Sequence, residues 1–170
     1  WAYIYPTIVG RFKPTDSNFK DYRVLRDTAC GGNHVLPLFC SPAESNKTEF
    51  CDVDMLLIKD NKIKVIFEIE ESNVKPTQIC GKFLASALSL NYLYDNEKIE
   101  MNANTLFIQI LNNLKLKDVS SKEEQWKNVE KAIVDLLPVG KMTHYKLFFG
   151  NATEFNYDEL IKYLRDFLQK

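Results

Sequence analysis

The stretch from Val53 to Glu70 constrains this chain more than any other. Val53 to Ile58 is an apolar run, Lys59-Asp60-Asn61-Lys62 supplies the residues of a tight turn, and Ile63, Val65, Phe67 and Ile69 then alternate with Lys64, Ile66, Glu68 and Glu70. Side chains two apart in a strand share a face, so this is a β-hairpin whose second strand has one wholly apolar face and another ending in two carboxylates. Both strands read as central and buried. In an antiparallel hairpin turning at Asp60-Asn61, residue 54 pairs near residues 67 to 69, which makes Asp54 and Glu68 cross-strand neighbours. Like charges opposed on a buried sheet repel, and a cation held between them explains an arrangement that otherwise costs stability. The plain alternative is that these acids face solvent at strand ends, but the apolar neighbours disfavour it.

Around the hairpin the apolar spacing sets out the other elements. Phe19, Tyr22 and Leu25 recur three apart within Asp16 to Cys30, which predicts a helix stopped by Gly31-Gly32. His34 to Cys40 reads as extended and Ser41 to Thr48 as a polar loop. Pro76 opens a helix expected to reach about Tyr94, with Ile79, Phe83, Ala87 and Leu90 as its stripe. Thr105 to Leu111 reads as a buried strand, and Ser120 or Ser121 as the cap of a helix to about Leu137 that Pro138 and Gly140 end. His144 to Phe149 reads as a strand and Tyr157 to Leu168 as a terminal amphipathic helix. This order predicts an α/β fold, a mixed central sheet of about five strands flanked by helices. With 170 residues and no repeat or linker, a single domain is expected, its core over about 16–150 and a C-terminal helix over about 157–168.

Charge and cysteine usage narrow the partners. There are 22 Lys+Arg against 23 Asp+Glu, a formal net charge of -1, so an anionic partner has to be met locally or through a metal. Cys30, Cys40, Cys51 and Cys80 are too sparse and irregular for a disulfide scaffold, which points to a reducing, intracellular, cytoplasmic setting. No apolar run approaches the ~20 residues of a membrane span, so no membrane partner is expected. The start at Trp1 has neither a signal pattern nor an initiator Met, which leaves a preceding native segment open.

The hairpin acids resemble the signature of the PD-(D/E)XK nuclease superfamily: an acid heading one strand, a turn, then an acid, any residue and usually Lys near the end of the next. Here Asp54 heads the first strand and Glu68-Ile69-Glu70 closes the second, with Glu70 in place of the Lys and Val53 in place of the Pro that often precedes the first acid. The likeness in element order covers most of residues 16–150. It implies a restriction-endonuclease-like core and a metal-dependent DNA endonuclease, of restriction or repair type, that hydrolyses phosphodiester bonds. Asp54 and Glu68, with the Ile69 carbonyl, would hold Mg²⁺ or Mn²⁺. Glu70 would be a further ligand or the acceptor of a proton from water, and Lys82 on the following helix would supply the positive charge that Glu70 does not. Gln78, one turn before Lys82, and Lys75 in the flanking loop would contact substrate. Asp21, Glu44 and Glu49 are available as an additional upstream acid. By analogy with restriction enzymes, a homodimer is expected.

Two other readings stand beside this one. A catalytically degenerate domain of the same fold would bind nucleic acid or protein, as part of a larger chain or complex. Alternatively, Cys30, His34, Cys40 and Cys51 would form a zinc-stabilised module, although they contain no CxxC pair. Cys80 and His144 read as structural, Cys80 by core packing. Lys59, Lys62 and Lys64 crowd the turn, at the end of the hairpin away from the acids, and read as solvated.

Overall fold

The computed structural model describes residues 19–71, 74–116 and 118–170, which form eight strands and three helices. Strands β1 (Arg23–Arg26), β2 (Pro37–Phe39) and β3 (Glu49–Asp52) precede the hairpin of β4 (Met55–Lys59) and β5 (Lys62–Glu70). Helix α1 (Pro76–Leu88) leads to a second hairpin, β6 (Asn91–Tyr94) and β7 (Glu97–Asn112), followed by α2 (Val119–Leu136), β8 (Met142–Gly150) and α3 (Tyr157–Leu168). Both hairpins turn on a pair of short polar residues with positive φ, Asp60 (54°) with Asn61 (53°) and Asp95 (48°) with Asn96 (65°). Asp and Asn tolerate the left-handed region, and two in succession build the turn whose twist matches the flanking strands.

One mixed sheet results, in the order β1-β4-β5-β7-β6-β2-β3, with β8 added to β7. Strand β7 pairs in parallel with β5 and β8, and the other pairings are antiparallel. The sheet forks at β7: β6 pairs with residues 97–100 and β8 with residues 105–112. The fold class is α/β as expected, with eight strands rather than about five because three short strands extend the sheet.

Alternation along the strands divides the core between two faces. On one, Leu56, Ile66, Phe107, Leu111 and Leu147 pack with Ile79 and Phe83 of α1 and Trp126 and Ile133 of α2. On the other, Met55, Val65, Phe67, Ile108 and Ile110 pack with Leu160, Leu164 and Phe167 of α3. Glu130 of α2 reaches β8, where its Oε1 accepts from the Leu147 N–H at 2.9 Å and pairs with Lys146 Nζ at 3.0 Å.

Several expectations are corrected. Residues 23–26 are strand β1, paired to β4, and not part of a helix over Asp16 to Cys30, whose first three residues lie outside the described ones. Phe19 and Leu25 pack on opposite faces of the sheet, which no single helical stripe allows. Gly31 (φ 75°) and Gly32 close the turn after β1; a Cβ on Gly32 would lie 1.8 Å from the Arg26 carbonyl oxygen. Helix α1 ends at Leu88, short of Tyr94. Residues 91–94, rich in aromatic β-formers, turn back as β6, and Leu90 is exposed. The cap of α2 is Asp118, whose carboxylate accepts from the Ser121 N–H at 3.1 Å, and not Ser120 or Ser121. Cys80 is exposed and does not pack in the core.

Candidate metal and catalytic site

Asp54 stands just before β4. Its N–H donates to the Phe67 carbonyl at 3.2 Å, and the Met55–Phe67 register carries it opposite Glu68, as the hairpin pattern requires. Its Oδ2 accepts from the Ile69 N–H at 2.5 Å, a charge-assisted bond that fixes the carboxylate against β5. Both acids are withdrawn from water: Asp54 is 9% exposed and Glu68 1%. Helix α1 covers this face and delivers Lys82, whose Nζ lies 2.9 Å from Glu68 Oε2 and 2.6 Å from Glu70 Oε1. The other oxygen of Glu68, Oε1, is buried with no hydrogen-bond partner.

The electrostatics follow from this geometry. Burial first, and the facing charge of Asp54 second, push the Glu68 carboxyl up to about 8 against the pull of Lys82. Burial lowers the Lys82 ammonium, but Glu68 and Glu70 outweigh it and hold the group above its ordinary value. Both partners of the ion pair rise, Glu68 chiefly through burial and the Asp54 charge, Lys82 through its two glutamates. Fully ionised, Asp54, Glu68 and Glu70 exceed Lys82 by two negative charges, the charge that a divalent cation neutralises.

An unanticipated acid lies on the other side of Asp54. The Asp27 N–H donates to the Asp54 carbonyl at 2.9 Å, and one ligand atom each from Asp27, Cys30 and Asp54 lie within 4.8 Å of one another. The helical spacing of Phe19, Tyr22 and Leu25 hides Asp27 in the sequence; its signal is the polar, glycine-ended run Asp27-Thr28-Ala29-Cys30-Gly31-Gly32. Among the three acids expected upstream, Asp21 is exposed, and Glu44 and Glu49 line a groove with Asp52 at the β2–β3 end of the sheet.

The remaining expected residues are dispersed. Gln78 is exposed and turned back on the helix start, its Oε1 accepting from the Lys75 N–H at 2.9 Å; Lys75 is also exposed, and neither bonds to the acids. Lys62 pairs with Glu100 at 2.6 Å, Lys64 donates to Asn102 at 3.2 Å, and Lys59 lies over the Tyr22 ring. The four-residue zinc grouping does not form among the described residues. Cys30 meets the two aspartates instead, His34 packs edge-on against Tyr94, and Cys51 lies 3.5 Å from the Ser86 hydroxyl, its thiol pushed up to about 11 by burial.

Two further polar residues lie under the site. Gln109 on β7 is fully buried and in register with Glu68, and its Oε1 accepts from the Tyr145 hydroxyl at 2.6 Å. A lone Gln within the apolar run Thr105 to Leu111 was the available sequence signal. No described helix is long and apolar enough to cross a membrane. Compared with protein-family models, curated proteins and solved structures, the chain matches none.

Proposed function

We propose that this protein is a metal-dependent phosphodiesterase that cuts DNA, built on a restriction-endonuclease-like core. The observation that carries the reading is the opposition of two buried acids, Asp54 at the head of β4 and Glu68 on β5, with Glu68 Oε1 lacking any hydrogen-bond partner. Hard carboxylate oxygens and a surplus of two negative charges suit Mg²⁺ or Mn²⁺, held by Asp54 and Glu68. When bound, the ion supplies charge that polarises a phosphate and acidifies water. The chain's own groups do the rest. The Ile69 N–H orients Asp54, and Lys82 steadies Glu68 and Glu70 while bringing positive charge toward a phosphate. Glu70, the more open of the two glutamates, accepts a proton. The acids lie at the carboxyl end of β5, the end at which open α/β sheets bind ligands.

A second reading has one observation in its favour: Lys82 already neutralises part of the cluster, as it would in a fold kept only for binding. Incubation of supercoiled and single-stranded DNA with Mg²⁺ or Mn²⁺ separates the two. Cleavage by the wild type that disappears in Asp54→Asn supports the enzyme, because the amide oxygen still accepts from Ile69 and the fold is kept. Absence of cleavage with either metal supports the binding domain.

A further inference from the structure

The row of side chains beneath α1 contains a polar residue beside the acids and Lys82, Gln109. Gln109 sits on β7 directly opposite Glu68, and partners in register on adjacent parallel strands project to the same face. Its neighbours along the strand on that face, Phe107 and Leu111, are apolar core. A fully buried amide there is a poor choice for packing alone, since an unused polar group costs stability that a leucine would not.

The direction of the amide is set from the far side. Strand β7 lies between β5 and β8, and the Tyr145 hydroxyl on β8 donates to Gln109 Oε1. With the oxygen held by Tyr145 on β8, Nε2 is the atom left to serve the neighbour in register on β5, Glu68. Nε2 is a buried donor without a partner, and Glu68 Oε1 is a buried acceptor without a partner. The two unsatisfied atoms belong to neighbouring residues.

We propose that Gln109, held by Tyr145, is a positioning residue for Glu68: Nε2 and Glu68 Oε1, not bonded to each other as they stand, close into a hydrogen bond that fixes the carboxylate while leaving lone pairs for a cation. The proposal rests on the reading of Asp54 and Glu68 as a metal site. Each carboxylate oxygen carries two lone pairs, so a hydrogen bond to one does not block ligation through the other. Groups that orient a ligand from behind in this way typically change metal affinity about 10–100-fold when removed.

Two measurements test it, one of them independent of metal. In the metal-free protein, the side-chain amide protons of Gln109, followed by NMR, are expected to exchange slowly and to shift in both Glu68→Gln and Tyr145→Phe. Gln109 amide signals that Glu68→Gln leaves unmoved overturn the proposal. In the second measurement, Mn²⁺ titrated calorimetrically is expected to bind Gln109→Leu about tenfold or more weakly than wild type. The metal-free melting temperature of that variant is expected to fall, because the buried Tyr145 hydroxyl and Glu68 Oε1 are left without a partner, with Tyr145→Phe showing a smaller loss of affinity. An Mn²⁺ affinity of Gln109→Leu equal to that of the wild type, whatever its melting temperature, marks a packing role alone and also overturns the proposal. A wild type that binds no Mn²⁺ defeats the metal reading itself, and the amide shifts then decide the Gln109–Glu68 contact.

Discussion

Replacing Glu68 with Gln should make the metal-free protein relatively more stable as the pH rises. In the folded chain Glu68 titrates near 8 against an ordinary value of 4.5, because burial and the Asp54 charge disfavour its ionised form. Between those two values the native state holds a proton that the unfolded state has released, so the stability of the wild type falls with rising pH across that interval and levels off above it. At ~1.4 kcal/mol per pH unit the full effect is at most about 5 kcal/mol, a large share of the roughly 5–15 kcal/mol that holds a domain together. The amide in Glu68→Gln does not titrate, so the change in the difference between the two proteins reports Glu68 together with the charges coupled to it. Lys82 titrates above the interval, and the small effect of His144, lowered by burial, is common to both. Urea denaturation in chelator from about pH 5 to about pH 9 measures it. With an m-value of about 2 kcal/mol/M, the wild-type midpoint should drop by roughly 2 M relative to Glu68→Gln. Mn²⁺ at about 100 times its Kd should return about 2.7 kcal/mol to the wild type at high pH and little to the variant. Two curves that stay parallel over the whole range would refute the reasoning.

Lys82→Met removes the ammonium shared by Glu68 and Glu70. Loss of one partner from a fully buried pair costs about 3–5 kcal/mol, but Lys82 is 39% exposed, so about 1–3 kcal/mol is expected near pH 9. Near pH 6 the loss should be smaller, because Glu68 already holds a proton there and the ammonium faces one carboxylate charge fewer; urea titration in chelator at the two pH values checks both. Leu164→Ala, which empties a fully buried position under α3, should cost about 2–5 kcal/mol in thermal denaturation, whereas Leu84→Ala on the exposed side of α1 should stay within about 1 kcal/mol.

The parts of the fold that were legible are those whose signal is local and long. The β4–β5 hairpin shows in sequence as alternation on both sides of a two-residue turn, and α3 as a strongly amphipathic run behind the capping Asn156. Strands β1, β3 and β6 have four residues each, too few for a period of two to stand out from a period of three or four, and pairing partners distant in sequence define them. The site divides in the same way. Asp54, Glu68, Glu70 and Lys82 lie on one hairpin and the helix that follows it, so their meeting could be argued from spacing. Asp27 and the Gln109–Tyr145 pair reach the site only through the β1–β4, β5–β7 and β7–β8 pairings, which no local pattern encodes.

The fork at β7 also affects solubility. An unbranched sheet has two open borders, whereas this one has three among the described residues: β1, β3 and the outer side of β8. Open borders recruit foreign strands, and the danger grows with their length. Two of the three are only four residues long, but β8 runs for nine. On that border the Glu130 carboxylate already occupies the outward Leu147 N–H. A strand docking there would have to displace a charge before forming its first ladder bond, so one glutamate protects the most adhesive margin of the molecule.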